Sequence, residues 1–355
     1  MSTTHLYRLP VEQTQWKVEG KTTTAFTWEY QDGSADLLAL YGKGKKQQWD
    51  AAERLDWSQD IDPDNPMGMP DAHIAIYGTD LWNRLDDKGR AEVRRNLQAH
   101  TLSQFLHGEQ GALMATAKIV QTAPSFEAKF YAATQVMDEA RHVEAYSRLL
   151  HDKFHLAYPI TPSLAKLLEA TITDARWDMT YLGMQILIEG LALAAFQRIR
   201  DLSSNPLCAA VNAYVMQDEA RHVAFGRLAL REFYPQLTEA ERDEREEFVV
   251  EACYHMRDRF DQRMVWENLG LPVAECMAIV DQSEMMKRFR RRLFTRIVPA
   301  VKDIGLWGKR VRRAYEDMGV LDLADVDPAV MLENDNRVAD DFDAKRFVRQ
   351  QLGNE

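Results

Sequence analysis

The hexamer DEARHV occurs twice in this chain, at residues 138–143 and again at 218–223. In each copy a glutamate and a histidine stand three apart, Glu139 with His142 and Glu219 with His222. On a helix, residues at i and i+3 point to nearly the same side, so each copy offers one carboxylate and one imidazole to a single point in space. Thirty residues before Glu139 stands Glu109, and thirty before Glu219 stands Glu189. At the same offset of 80 residues the two halves match at Leu102 and Leu182, Ala112 and Ala192, and Leu113 and Leu193. Each half therefore reads as a helical hairpin carrying Glu, then Glu-x-x-His, a donor pattern able to hold two metal ions between paired helices.

The residue types say what this set is for. Four carboxylates balance the charge of two divalent cations, oxygen and imidazole donors suit iron or manganese, and the absence of thiolate disfavours softer metals. Glu189 sits in MQILIEGLALAAF, where its neighbours three and four residues away are apolar, so it is expected to face the interior. An uncompensated buried carboxylate costs on the order of several kcal/mol, and four converging without cations would cost more. Glu109, Glu139 and His142 are expected to hold one iron and Glu189, Glu219 and His222 the other, with some glutamates bridging. A mixed manganese and iron pair fits the same donors. Asp138 and Asp218 precede the histidines by four residues and so can accept a ring N–H from their own or the facing helix, fixing tautomer and ring direction. Arg141 and Arg221 would neutralise those aspartates from the flank.

These donors require long helices. From about residue 89 the apolar positions recur with a helical period over 89–121, 125–153, 162–173, 174–201 and 206–232, and further helices are expected over 238–268, 272–303 and 305–318. Thr161 before Pro162 reads as an N-cap followed by proline at the first helical position. Thr238 and Glu241 have the spacing of a capping box. The resulting expectation is one all-α domain over 1–355: an irregular N-terminal arm (1–85), a ferritin-like four-helix bundle (86–235), accessory C-terminal helices (236–325) and a charged tail (326–355) that is either mobile or a short surface helix. The run from Asp60 to Asn65 lacks the glycine and glutamate of a calcium loop and reads as turns.

Composition narrows the function class. A chain of 355 residues with 46% hydrophobic and 28% charged residues is globular, and a net charge of -11 repels a phosphate backbone. Nucleic acid is not an expected partner. Cys208, Cys253 and Cys276 are too few and too scattered for a disulfide framework. The longest apolar run, near 186–196, is interrupted by Glu189, and the N-terminus lacks an apolar leader segment, so a cytoplasmic chain without a membrane span is expected.

Over residues 90–232 the combination of Glu109, Asp138-Glu139-x-Arg141-His142, Glu189 and Asp218-Glu219-x-Arg221-His222 resembles the non-haem diiron carboxylate proteins, among them monooxygenase hydroxylases, ribonucleotide reductase small subunits, acyl desaturases and arylamine N-oxygenases. The resemblance implies a diiron oxygenase that activates dioxygen to oxidise a small, apolar organic substrate. Leu106, Leu113, Met114, Ile188, Leu193 and Phe196 are the apolar residues expected near the site. It also implies an external electron donor, a reductase or a ferredoxin, since no flavin or iron-sulfur motif is present, and leaves a homodimer open. Departures sharpen it. The threonine that follows the third-helix glutamate by four residues in the hydroxylases is Leu193 here. The cross-linked tyrosine and valine of the ligand-binding oxidases are Met184 and Ala112. The extra ligand histidine of the arylamine N-oxygenases is Val215, so six ligands are expected, not seven. Tyr146 occupies the place of the radical tyrosine of the reductase subunits. One alternative is therefore a radical-generating or ligand-binding diiron or Mn/Fe oxidase. Another is a ferritin-like iron-binding or peroxide-detoxifying protein, although the chain is longer than a core bundle needs.

Overall fold

The computed structural model describes residues 22–25, 34–258 and 262–352, and every regular element among them is a helix. Three short ones lie in the N-terminal arm: α1 (Ala35–Lys46), α2 (Ala51–Arg54) and α3 (Asp80–Asn83). Next come α4 (Asp87–Thr122), α5 (Phe126–Arg148) and α6 (Pro162–Thr173). A single rod then runs from α7 (Trp177–Tyr181) through a π-helical stretch (Leu182–Ile188) into α8 (Glu189–Leu202). It is followed by α9 (Pro206–Phe233), α10 (Glu239–Asp258), α11 (Arg263–Asn268), α12 (Val273–Gln282), α13 (Glu284–Leu293), α14 (Ile297–Asp303), α15 (Lys309–Asp317) and α16 (Pro328–Leu352).

The bundle is two hairpins packed face to face: the most extensive contacts join α4 to α5 and α8 to α9, and α5 also packs on α9. Local chemistry starts each helix where the sequence marks it. Asp86, Ser125, Thr161 and Asn205 each accept a backbone N–H of the first turn of α4, α5, α6 and α9, with Pro162 and Pro206 at the first helical position. Thr238 and Glu241 close the capping box reciprocally, N–H to Oε2 at 2.8 Å and N–H to Oγ at 3.3 Å. The rod Trp177–Leu202 is long and apolar enough to cross a membrane, but 94% of its apolar window is buried inside the protein. It is the central core helix of the bundle.

Three segments differ from the periodicity reading. The arm, expected to be irregular, contains the twelve-residue helix α1, which packs on α5 and α9. Its residues 1–21 and 26–33 lie outside the described residues. The stretch 272–303 is not one helix. Ser283 is extended (ψ 119°), ends α12 and caps α13 by accepting from Met286, and Pro299 falls in the first turn of α14, where the missing N–H costs nothing. The segment expected as a tail or short surface helix is α16, packed on α9 and anchored by the fully buried Asp335. Its apolar positions are sparse, and beside Ala339, Leu332 and Phe342 it is held by an ion pair that periodicity does not register.

Candidate metal centre

The middle of the bundle brings together all six side chains singled out by spacing. Glu109 comes from α4, Glu139 and His142 from α5, Glu189 from the first turn of α8, and Glu219 and His222 from α9. All are at most 5% exposed. Two overlapping groups of donor atoms, each within 4.8 Å of one another, are Glu109, Glu139, His142 and Glu219, and Glu139, Glu189, Glu219 and His222. Glu139 and Glu219 belong to both. His142 Nδ1 lies 3.4 Å from Glu139 Oε2 and 3.1 Å from Glu219 Oε1, whereas His222 Nδ1 lies 3.1 Å from Glu139 Oε1 and 3.4 Å from Glu219 Oε2. Each shared glutamate thus turns one oxygen to each histidine, the arrangement of a carboxylate that bridges two ions.

The donors fit a pair of divalent ions. Atoms bound at about 2.0–2.2 Å and roughly 90° apart are about 3 Å from each other, close to the spacings seen here. Glu139 Oε2, Glu189 Oε2, both oxygens of Glu219 and His222 Nδ1 are buried without a hydrogen-bond partner. Such atoms are costly unless something completes them, and two cations between the hairpins would complete all five. The Leu182–Ile188 π-helical stretch immediately precedes Glu189 and sets the direction of its side chain; π-helical turns often occur at functional sites.

Around the donors the aspartates cross over. Asp218 on α9 accepts from His142 Nε2 on α5 at 3.1 Å, and Asp138 on α5 accepts from His222 Nε2 on α9 at 3.1 Å. Each histidine is therefore held by the facing helix, with Nδ1 left to the cluster. Arg141 bonds Asp138 and also Asp218 Oδ2 (2.9 Å), while Arg221 bonds Asp218 and sits 3.7 Å from Asp138. Two aspartates and two arginines form a neutral, buried lattice tying α5 to α9. Two members of this lattice come from the arm and escaped the sequence reading: Trp49 Nε1 donates to Asp218 Oδ2 and Gln48 Nε2 to Asp138 Oδ1, both at 2.8 Å. No local signal marks them, since their partners lie 169 and 90 residues away. Gln135 also escaped, though it stands one helical turn before Glu139 and was legible by the i, i+4 rule.

Without cations the cluster holds protons. Burial, then the charge of Glu219, pushes the Glu109 carboxyl well above its usual range, and the same two effects raise Glu189. Burial also acts on Glu139, but the imidazoles of His222 and His142 outweigh it and hold that carboxyl low. Burial opposes charge on His142 and His222 as well, yet the surrounding carboxylates win and raise both.

Beside Glu109, Glu189 and Glu219 lies a cavity of about 20 Å³ walled by Phe105, Ala112, Ile188, Ala192 and Phe196. That is room for about one water-sized molecule. Ile188 and Phe196 are where the sequence placed them. Leu106 and Leu113 do not line this space, Met114 is 51% exposed, and Leu193 faces a separate cavity with Ala220, Arg296 and Met331. Helix phase accounts for Met114, which, five residues on, points away from the face of α4 that carries Glu109. Tyr146 is fully buried against Phe105 and Phe196, and its hydroxyl donates to Asn212 at 3.2 Å.

A family model described as "P-aminobenzoate N-oxygenase AurF" matches residues 31–305. Among solved structures, an R2-like ligand-binding oxidase with aerobically reconstituted metal cofactor superposes with a TM-score of 0.52 at 16% identity, covering 80% of this chain and all of that one. This likeness shows a shared fold. A protein with aldehyde deformylating oxidase activity from Synechococcus scores 0.46 at 16% identity, over 66% of this chain and 100% of that chain, and a dimanganese(II)-NrdF from Streptococcus sanguinis scores 0.47 at 14%, over 82% and 98%. No curated protein sequence matches the chain.

Proposed function

From membership, since the chain belongs to the P-aminobenzoate N-oxygenase AurF family of ferritin-like diiron proteins, we propose that Glu109, Glu139, His142, Glu189, Glu219 and His222 are the ligands of its dimetal centre and that it oxygenates a small, apolar organic molecule. The protein is an O2-dependent oxidoreductase of the carboxylate-bridged dimetal kind, and diiron is the cofactor of that family, with Mn/Fe the alternative its donors also suit. The observation that carries the ligand assignment is the set of five partnerless buried donor atoms converging between two histidines whose far nitrogens are already committed to Asp218 and Asp138.

When bound, the metal pair supplies the electrons and the coordination positions for dioxygen. The chain's own residues do the rest. Asp138 and Asp218 keep each histidine in the tautomer that leaves Nδ1 unprotonated. Arg141 and Arg221 pair with those aspartates from the flank. Phe105, Ile188 and Phe196 exclude bulk water from the carboxylate face, which strengthens every electrostatic interaction inside. The cavity of about 20 Å³ is too small for an aromatic ring, so substrate entry requires side chains of α4 and α8 to part, and an arylamine is the first substrate class to assay. Val215 stands where the arylamine N-oxygenases place a seventh ligand, and it is fully buried and apolar, so this chain works with six. The electron donor is proposed to be a separate reductase or ferredoxin in the cytoplasm, and a homodimer is the assembly to test.

The test is metal content after expression with iron, followed by anaerobic reduction and absorption spectroscopy as dioxygen is admitted. About two irons per chain and a transient band that depends on dioxygen are expected. No more than one metal, or a reduced centre indifferent to dioxygen, would overturn the reading. The same spectra decide the role of Tyr146, whose ring lies buried one turn beyond His142: a tyrosyl signal lost in Tyr146→Phe would favour the radical-generating oxidase over the oxygenase.

A further inference from the structure

Gln135 breaks the two-fold likeness of the cluster. It is fully buried on α5, and its amide nitrogen donates to Glu139 Oε1 at 2.9 Å and to Glu189 Oε1 at 3.0 Å. Its own carbonyl oxygen has no partner. The counterpart of Gln135 at the offset of 80 residues is Val215, which donates nothing. The consequences differ on the two sides. On the Gln135 side Glu189 is held through Oε1, its second oxygen has no partner among the described residues, and His222 Nδ1 lies 3.1 Å from the shared Glu139 Oε1. On the Val215 side nothing anchors Glu109 from behind, and its Oε2 instead pairs with His142 Nδ1 at 3.3 Å.

We propose that Gln135 makes the two metal positions unequal, holding the position of Glu139, Glu189, Glu219 and His222 open for the first ion, while the position of Glu109, Glu139, His142 and Glu219 fills second. The physical reason is preorganisation. A carboxylate already oriented by a neutral donor loses little freedom on binding a cation, and residues that orient ligands in this way change metal affinity by about 10–100-fold. At the other position no neutral donor among the described residues orients Glu109, which pairs with His142 Nδ1 instead. Gln135 is thus a positioning residue, acting through two glutamates. The inference rests on the reading of the cluster as a two-ion site.

The experiment is an anaerobic titration of the metal-free full chain with Mn²⁺, followed by calorimetry and by electron paramagnetic resonance. A mononuclear Mn²⁺ signal should grow to one equivalent and give way to a coupled pair by two, with the first step at least ~10-fold tighter. Glu109→Ala should keep the tight step and Glu189→Ala should lose it. Gln135→Val should weaken the first step by ~10-fold or more and merge the two, and adding Val215→Gln to that variant should restore a tight step that now depends on Glu109. Two equal steps in the unaltered protein, a tight step unchanged in Gln135→Val, or a tight step lost in Glu109→Ala would each overturn the proposal. Binding of no Mn²⁺ or Fe²⁺ at all would instead bring down the two-ion reading itself. Should Gln135→Val fail to fold, the unaltered protein and the two glutamate variants still decide.

Discussion

Individual side chains at the centre serve as donors, as holders of donors, or as screens, and the sequence separated these roles unevenly. The donors were legible because Glu-x-x-His places both groups on one helix face and because the motif recurs. The holders were legible only in part: Asp138, Arg141, Asp218 and Arg221 stand beside the ligands in sequence, whereas Gln48 and Trp49 arrive from the arm. The two halves also diverge where packing demands it. Tyr146 corresponds to Gly226, and a Cβ at Gly226 would lie 2.5 Å from the Gln185 side chain, so no tyrosine fits there. A pH dependence belongs to this scale. Burial and the nearby Glu219 push the Glu109 and Glu189 carboxyls well above their usual range, and His142 and His222 are raised by the carboxylates around them despite burial. The metal-free centre therefore keeps these protons to higher pH than exposed groups would, and cations must displace them. Affinity for Mn²⁺ or Fe²⁺ is expected to rise with pH, with protons released on binding. Calorimetry in buffers of different ionisation enthalpy measures that number, and a value of zero would contradict the assigned protonation.

Helices carry the site because each is started and oriented by its own residues. Four capped N-termini set the phase of α4, α5, α6 and α9, and that phase decides that Glu109 looks inward while Met114 looks out. The accessory helices show a different logic. Helix α16 is amphipathic only weakly, yet Asp335 in its middle is 1% exposed and forms a two-pronged ion pair with Arg296 of the α13–α14 link, Nη1 to Oδ2 at 2.7 Å and Nη2 to Oδ1 at 2.9 Å, with Arg200 of α8 at 3.6 Å. Removing one partner of a buried pair leaves an uncompensated charge. Asp335→Ala is expected to destabilise the chain by about 3–5 kcal/mol, read from urea unfolding by circular dichroism. A loss below about 1 kcal/mol would mean that α16 is held by its apolar contacts alone. This anchor was illegible in sequence because a single aspartate in ENDNRVADD looks like its solvated neighbours.

Across the molecule the centre ties the two hairpins together, so its occupancy should govern global stability. Four buried carboxylates facing one another are costly without cations, and a ligand that binds the folded state alone stabilises it by about 4 kcal/mol per site at a thousand-fold excess over its dissociation constant. Chelation is therefore expected to lower the thermal midpoint, with readdition of Fe²⁺ or Mn²⁺ restoring it. An unchanged midpoint in loaded and stripped protein would argue against the cluster as a metal site. The arm belongs to this scale as well: α1 lies over α5 and α9, and the loop after it delivers Gln48 and Trp49 to the aspartates, so residues that look peripheral in sequence close the lattice around the histidines.

The sequence by itself determined the all-α class, the four bundle helices to within a few residues, and the six side chains that converge at the centre, because helical periodicity, caps and i, i+3 spacing are local and the repeat places two hairpins in register. Only the tertiary structure decided which glutamates face both histidines, which aspartate holds which histidine, that Gln135 serves one side of the centre and Val215 leaves the other bare, and that α16 is anchored through Asp335. Those are contacts between residues far apart in the chain, set by how helix faces meet in space, and no local pattern of residue types encodes them.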